Sequence, residues 1–268
     1  NADGGFGASP GARSSDLYSA WAAIGLAAAG TDPDRLRRGG GRSLGAYVAG
    51  SARRVRGAGN VERTVLALRA SGRSTRALRA RMHRGQRRDG SYDGLVNLTS
   101  FGILALRAAG DSPRSGAVGR AAAFVARQQN RDGGWNFARR GSASRVDETA
   151  AALQALRAAG RARTSRAVAR GARWLAACQN RDGGFPTSPG GASNAQSTGW
   201  AVQGLLAAGR DPGRVRRRGS RSPLGYLRSL VTGSGAVRYS RTSAQTPVWV
   251  TAQVLAALHR RVLPVRGR

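Results

Sequence analysis

Six apolar stretches rich in Ala and Leu recur along the chain, separated by more polar segments. Ala and Leu favour helix, and the Gly that ends most of the stretches can provide a left-handed C-cap. Because apolar residues lie nearly all round each stretch, we predict six buried helices. The stretches are residues 16–30, 61–72, 97–110, 146–160, 195–209 and 246–260.

The segments that precede the sharpest turns have a different pattern. Ser115–Gln128 and Ser165–Gln179 place Arg on one helical face and Ala, Val, Phe or Trp on the other, which is typical of amphipathic outer helices. Buried helices paired with amphipathic ones favour a closed double ring. An open solenoid is the alternative, but the unequal pairs and the lack of a polar capping repeat favour closure. We therefore predict an all-α (α/α)6 toroid of six inner and five to six outer helices.

A sequence repeat supports this architecture. Arg120–Trp135 (RAAAFVARQQNRDGGW) is repeated at Arg170–Phe185 (RGARWLAACQNRDGGF), and weaker copies occur at Gln86–Tyr92, Asn1–Phe6 and Ser234–Tyr239. A fixed period of this length indicates a repeat architecture. We expect residues 1–268 to form a single toroid domain of about six repeats. Since the chain opens inside a turn, we expect its first outer helix to be missing.

The Gln and Gly-x-Trp positions of this repeat resemble the QW motif of squalene–hopene and oxidosqualene cyclases. The wider repeat resembles the prenyltransferase and squalene oxidase repeat family, which implies a terpenoid cyclase-like α/α toroid. Cobalamin carriers share that toroid, so the resemblance is stronger for fold than for function. The Gln and aromatic residues of the repeats are predicted to be scaffold, because they can bond the turn and fill the space between helices.

One segment carries candidate chemistry. Arg145–Ala150 (RVDETA) resembles the Asp-x-Asp-Asp-Thr-Ala motif of class II terpene cyclases. The resemblance implies that Asp147 is the general acid that protonates an alkene or epoxide, with Glu148 as its support. Arg145 replaces the first Asp, and its guanidinium is expected to keep Asp147 ionised. The alternative is that Asp147 and Glu148 cap a helix and complement its dipole.

Polar amides and aromatic residues recur along the predicted inner helices, whose N-terminal ends face the cavity in this family. Such a ring suits a largely apolar, isoprenoid-like ligand or a carbocation, although the aromatic residues could instead fill the core. The predicted cavity residues are Trp21, Asn97, Phe101, Gln154, Gln196, Trp200, Gln203, Gln245 and Trp249.

Several chemistries are excluded by what the chain lacks. With Cys178 as the only cysteine and only His83 and His259 as histidines, no zinc-ligand spacing, other metal site or Ser/His/Asp constellation can be proposed. We predict no cofactor, and no phosphate-binding Gly-rich motif precedes a helix. The predicted inner helices, at about 14 residues, are too short to be transmembrane segments.

The net charge of +32 comes from arginine alone, since the chain has no lysine. Arg without Lys, beside so much Ala and Gly, indicates a GC-rich coding sequence. The charge predicts nonspecific binding to polyanions, but no sequence-specific nucleic-acid motif is present. The resemblance favours a secreted or cell-surface location.

These observations favour a terpenoid cyclase/prenyltransferase-repeat protein with a central cavity for an apolar small molecule. If it is an enzyme, the reaction is an acid-initiated cyclisation of the class II terpene cyclase type, an isomerase or intramolecular transferase. The alternatives are a noncatalytic extracytoplasmic toroid similar to the cobalamin carriers, and an Arg-rich surface-binding module. Full cyclases of the family carry a second helical domain, for which this chain has no room.

Overall fold

The computed structural model describes residues 1–217, 219–265 and 267. Within these residues the chain forms eleven α-helices and one two-stranded antiparallel sheet. In chain order they are α1 (Asp16–Ala28), α2 (Leu44–Ser51), α3 (Ala58–Ala70), α4 (Arg76–Gly85), α5 (Val96–Ala108), α6 (Gly116–Arg127), α7 (Val146–Ala158), α8 (Arg166–Ala177), β1 (Phe185–Pro186), β2 (Ser193–Asn194), α9 (Ala195–Ala207), α10 (Pro223–Arg228) and α11 (Pro247–Leu258).

The six odd-numbered helices form a closed inner ring. Each packs against the next one along the chain, and α11 packs against α1 to complete the circle. The closing contact depends on Gly25 of α1, because a Cβ there would meet the backbone of Ala252 on α11. The prediction of a toroid with six inner helices and at least five outer ones is therefore confirmed, and the open solenoid is excluded.

The inner helices end as the sequence indicates. The residue that follows α5 and its C-cap is Gly110, at φ 96°, and Gly160 after α7 has φ 82°. Glycine adopts this left-handed backbone without the steric penalty that a Cβ would bring. The apolar faces of the inner helices pack into one large core, in which Ile103, Leu153 and Leu205 are fully buried. Residues of α9, α10 and α11 form a second, smaller core.

The five even-numbered helices lie outside the ring, each over the groove between two neighbouring inner helices. Among the described residues no helix covers the sixth groove, between α11 and α1. That groove is apolar, and Leu26, Val248 and Leu255 are among its walls. The aromatic residue of the first turn, Phe6, also borders it and is partly exposed, whereas its counterpart Trp135 is completely buried.

The C-terminal segment covers the end of the ring at which the inner helices finish. Leu263 is buried there, and its backbone N–H donates to Oε1 of Gln154 (2.9 Å). The two ends of the ring are consequently different: one holds this segment, and the other holds the N-terminal ends of the inner helices. In the part of the chain that the structure describes, no helix is long and apolar enough to cross a membrane.

Candidate functional site

A cavity of about 400 Å³ lies among the N-terminal ends of the inner helices. Its walls come from two levels of the helices, four residues apart, as in the pairs Asn97/Phe101 and Gln196/Trp200. Residues with this spacing lie on one face of a helix, one turn apart. Eight of the predicted site residues line the cavity: Trp21, Asn97, Phe101, Asp147, Glu148, Gln196, Trp200 and Trp249.

Three aromatic rings meet across the ring axis. Trp21, Phe101 and Trp200 come from α1, α5 and α9, and each pair is arranged edge to face, with centroids 5.6–6.3 Å apart. Such pairs add stabilisation beyond the area that they bury. Because the rings come from alternate inner helices, they form an apolar triangle that borders the cavity. Aromatic faces of this kind can stabilise a positive charge.

Asp147 is placed by the first turn of α7. The N-cap of this helix is Arg145, and no side chain forms a capping hydrogen bond. Asp147 therefore lies in the favourable field of the helix dipole but does not act as the cap. Its Oδ1 is buried and has no hydrogen-bond partner among the described residues.

The pKa of Asp147 is raised from 3.8 to about 7. Burial is the main cause; the Ser197 hydroxyl lowers the pKa, Glu148 raises it, and Arg145 lowers it least. The expectation that Arg145 holds Asp147 in the ionised form is therefore wrong. Removing a carboxylate from water costs more here than the guanidinium returns, because Arg145 is itself partly solvated.

Glu148 lies beside Asp147 and is buried, with 7% exposure. Its Oε2 lies 3.8 Å from Nε of Arg145, a distance too long for a hydrogen bond. Burial raises the pKa of Glu148, and Arg145 opposes this rise. Arg145, which replaces the first Asp of the resembled motif, thus lies near Glu148, which occupies the position of the last acid.

The sequence analysis missed a third acid, Glu62 of α3. It is 1% exposed, and both of its carboxyl oxygens are buried without a hydrogen-bond partner among the described residues. Burial, followed by the charge of Asp93, raises its pKa well above the ordinary range, while Arg63 lowers it. Glu62 and Arg63 both border the cavity.

A signal for this acid was present in the sequence. Counting thirteen residues back from the Gly that follows an inner helix gives Asp147 from Gly160, and the same count from Gly72 gives Gly59, which also lines the cavity. Glu62 lies three residues after Gly59, on the same helical face. The repeat around α3 has diverged too far in sequence for its spacing to single out Glu62.

Amide and indole groups complete the polar part of the wall. Nε2 of Gln196 donates to Oε1 of Gln253 (2.9 Å), which joins α9 to α11. The indole N–H groups of Trp21 and Trp249 are buried and donate to no described residue. The cavity therefore offers unused donors as well as unused carboxyl oxygens.

Three predicted cavity residues lie elsewhere. Gln154 and Gln203 are seven residues further along their helices than Asp147 and Gln196, about 10 Å deeper at 1.5 Å per residue. Gln154 there binds the C-terminal segment, and Gln203 donates to the carbonyl of Gly199. Gln245 is exposed, because α11 begins only at Pro247.

The glutamine side chains of the two strong repeats hydrogen-bond to the backbone through their Nε2 groups. Nε2 of Gln129 donates to the carbonyls of Gly133 and Ala167, and Nε2 of Gln179 donates to those of Gly183 and Val215. Each side chain ties its own turn to the start of the next outer segment. These contacts are those of scaffold residues.

Other polar groups give no sign of a metal or nucleophile site. Across the described residues, no group of three or more His, Cys, Asp or Glu side chains could hold a metal ion. Burial raises the pKa of Cys178 to about 12, so this thiol is unreactive at neutral pH. His83 contacts Asp111, which also binds Arg79.

The sequence profile of the squalene-hopene cyclase C-terminal domain matches residues 67–189 and 94–229. These ranges include Asp147, Glu148 and both strong repeats. A search of curated proteins finds no match to the chain.

Solved structures share the fold. The ent-copalyl diphosphate synthase from Streptomyces platensis is 20% identical, with a TM-score of 0.64, and the match covers 91% of this chain and 50% of that one. The chain thus spans half the length of that synthase. The type II terpene cyclase MstE from Scytonema is 16% identical, with a TM-score of 0.61, and 94% of this chain and 90% of that one are covered. A variant of MstE has been solved with its substrate, geranylgeranyl dihydroxybenzoate.

The same fold also occurs in a different enzyme class. A glycosyl hydrolase of family 88 from Bacteroides vulgatus is 11% identical, with a TM-score of 0.58, and the match covers 91% of this chain and 90% of that one. At these identities the similarity shows the fold alone.

Proposed function

Since the chain belongs to the squalene-hopene cyclase C-terminal domain family, we propose that it catalyses the acid-initiated cyclisation of an isoprenoid. The observation that carries the proposal is the buried carboxyl of Asp147 at the cavity wall, whose pKa is raised to about 7. At neutral pH about half of such carboxyls are protonated, and a proton donor requires a pKa close to the working pH.

The reaction is an isomerisation. The Asp147 O–H bond breaks as a C–H bond forms at one alkene carbon, which leaves a carbocation on the other. Neighbouring double bonds then attack the cation in turn and close rings. The last cation loses a proton to water, so the product has the same atoms as the substrate.

The remaining wall residues assist this reaction through their surfaces. Trp21, Phe101 and Trp200 present ring faces and edges that exclude water and stabilise the cation. Nε2 of Gln196 and Oε1 of Gln253 bind each other, which holds the two side chains in place at the wall. At about 400 Å³, the cavity falls in the range used by small-molecule sites.

The test uses a panel of linear isoprenoids with different head groups: squalene, geranylgeranyl diphosphate and geranylgeranyl dihydroxybenzoate. We expect an isomer of one of them, with new rings and unchanged mass in ordinary water, and with one added deuterium in D2O. Asp147→Asn should reduce the rate about 100-fold or more. The control is Asp211→Asn, because Asp211 lies at the surface and pairs with Arg260.

A second candidate is a noncatalytic toroid that binds an isoprenoid-like molecule. It is favoured by Arg145, which stands where the resembled motif has its first Asp. Binding of a panel member without conversion, at equal affinity in wild type and Asp147→Asn, would support this candidate over the cyclase.

We also propose that the arginine-rich surface binds polyanions without sequence preference. With a net charge of +32, affinity for heparin or DNA should fall steeply with salt, on the order of 10³-fold between 50 and 200 mM. Fluorescence titrations at both salt concentrations, with two unrelated DNA sequences, measure this. Binding that persists at high salt or favours one sequence would contradict it.

A further inference from the structure

Glu62 borders two cavities at once. One is the central cavity, and the other is a side cavity of about 220 Å³ bounded by α3, α4 and the turn before α5. Gly85 and Asp93 are exposed at the edge of the side cavity, so it reaches the surface of the ring. Glu62 is the one carboxyl among the described residues that borders both spaces.

The carboxyl of Glu62 is not held by a hydrogen bond to any described residue on the side of either cavity. Its two carboxyl oxygens have no hydrogen-bond partner in the described part of the chain, although the residue is only 1% exposed. A buried acid in a purely structural role would bind a donor, because an unsatisfied buried polar group destabilises the fold. A side cavity of this size has room for several waters, at about 30 Å³ each.

The charges around Glu62 can be assigned to their elements. Arg63 is its neighbour on α3, Arg81 of α4 and Asp93 border the side cavity, and Asp147 and Glu148 of α7 line the central cavity. Of the charges nearest to it, Asp93 favours a proton on Glu62 and Arg63 opposes it. Because Glu62 borders both cavities, its carboxyl can accept a proton from one cavity and release it to the other.

We propose that Glu62 relays protons from solvent to Asp147 through the side cavity. The inference rests on the proposed function, because it concerns how Asp147 regains the proton that it gives to an alkene. A substrate or product fills the central cavity during turnover, so a second route avoids waiting for that cavity to empty.

The relay conserves protons and uses no other reactant. The Glu62 carboxyl gives its proton to a single water retained beside it at the wall of the occupied central cavity, and that water passes a proton to the Asp147 carboxylate. The Glu62 carboxylate then takes a proton from water in the side cavity, which is replenished from solvent. Each turnover releases one proton at the last cation, so the cycle balances. Glu62 acts on the substrate only through Asp147, and it is therefore a positioning residue and not a catalytic one.

The first experiment separates the first turnover from later ones. At about pH 6, below the pKa of about 7, most Asp147 carboxyls start protonated, so Glu62→Gln should leave the single-turnover rate unchanged with whichever panel member is converted. Its steady-state kcat should fall about tenfold or more, with KM unchanged. An equal loss in both regimes would overturn the relay, since it would mean that Glu62 acts in the chemical step.

A second variant tests the route without changing Glu62. A Cβ on Gly85 meets no atom within 4 Å, so Gly85→Leu can partly fill the side cavity. We expect the same loss of kcat with a normal single turnover. Gly119→Leu is the matched control, because Gly119 lies on the outer helix α6 and is equally open. Normal steady-state turnover in Gly85→Leu, with the side cavity shown to be filled, would overturn the route.

A third measurement needs no substrate. The central cavity is first filled with squalane, a saturated chain that cannot be protonated; after a rapid drop in pH, time-resolved infrared spectroscopy then follows the carboxyl C=O band that is absent from Asp147→Asn. We expect this band to rise about tenfold more slowly in Glu62→Gln than in wild type. An unchanged rate would overturn the relay even if the protein cyclises isoprenoids. A slowed rate would support it even if none of the panel is converted, which keeps the two proposals separate.

Discussion

Polar side chains are buried in two regions of this protein, and the two regions treat them in opposite ways. In the repeat turns, Nε2 of Gln129 and Nε2 of Gln179 each donate to two backbone carbonyls. In the central cavity, Glu62, Asp147 and Trp21 keep buried polar atoms without partners among the described residues. A satisfied buried group specifies the fold, whereas an unsatisfied one lowers stability and is available to a ligand or a proton.

The same contrast appears in the carboxyl groups. Asp89 in a repeat turn accepts hydrogen bonds from the hydroxyl and backbone N–H of Ser91, which lower its pKa. Asp147 at the cavity has its pKa raised, mainly by burial. Asp89 is exposed whereas the Asp147 carboxyl is buried, so the two carboxyls differ in burial as well as in hydrogen-bond partners.

The largest stability effect should come from a turn amide. Gln179→Leu removes bonds to the carbonyls of Gly183 and Val215 and to the N–H of Arg217. Leaving the buried carbonyl of Gly183 and the partly buried carbonyl of Val215 without this donor should lower the free energy of unfolding by about 3 kcal/mol. Gln203→Leu is the control and should cost less than about 1 kcal/mol, because its Oε1 has no partner and its one bond is long.

Urea unfolding of both variants measures the difference. Equal losses for Gln179→Leu and Gln203→Leu would break the distinction between satisfied and unsatisfied amides. Neither variant should change which isoprenoid is bound, since neither side chain lines the central cavity.

A smaller effect is expected where an outer helix meets a turn aromatic. A Cβ on Gly171 of α8 would lie 2.6 Å from the ring of Trp135. Gly171→Ala should therefore lower stability by about 1–2 kcal/mol through overpacking. The same change at Gly119, which has no atom within 4 Å of its added Cβ, should raise stability by up to about 1 kcal/mol.

Thermal unfolding of these two variants tests whether Trp135 is scaffold. A stability gain in Gly171→Ala would mean that the turn aromatic can move, and that its burial is not fixed by packing. The pH profile of any activity should be the same in both variants as in wild type.

The last effect depends on pH and has opposite signs in the two regions. Asp147 loses its proton near pH 4 when unfolded and at about pH 7 when folded, so the folded state holds the extra proton between these values. Stability therefore falls as pH rises through this window. Asp147→Asn removes the penalty, and its Tm relative to wild type should rise from pH 4 to pH 7 and then level off.

Asp89→Asn should behave in the opposite way. The pKa of Asp89 is lower in the folded state, so its carboxylate stabilises the fold above the unfolded pKa and that contribution is lost as pH falls through the folded pKa. The variant should thus lose Tm at neutral pH and approach wild type in acid. Scanning calorimetry across pH 3–8 measures both variants. Parallel curves would show that the two carboxyls do not differ.

Much of the fold could be read from the sequence because its signals are local. The inner helices follow the Ala- and Leu-rich runs, and α7 covers Val146–Ala158 within the predicted 146–160. Glycines such as Gly110 and Gly160 mark the ends, since only they adopt the left-handed backbone without strain. The position of Asp147 at the start of an inner helix was available for the same reason.

The site needed more than local signals. Gln154 and Gln203 match the polar pattern of the cavity residues but lie two turns deeper, and Gln245 precedes its helix. Spacing along a helix gives the face of a residue, but its depth in the ring depends on how the six helices are aligned. Glu62 escaped notice because its repeat is degenerate, although it occupies the cavity face of α3.

The sequence by itself therefore determined the helices, the turns, the closed ring and the place of one candidate acid. The tertiary structure decided the protonation of that acid, since burial outweighs the guanidinium of Arg145, and it alone brought Glu62 between two cavities. The physical reason is the distance along the chain over which each effect acts. Helix propensity and capping act over a few residues, whereas desolvation depends on every group that the fold brings near.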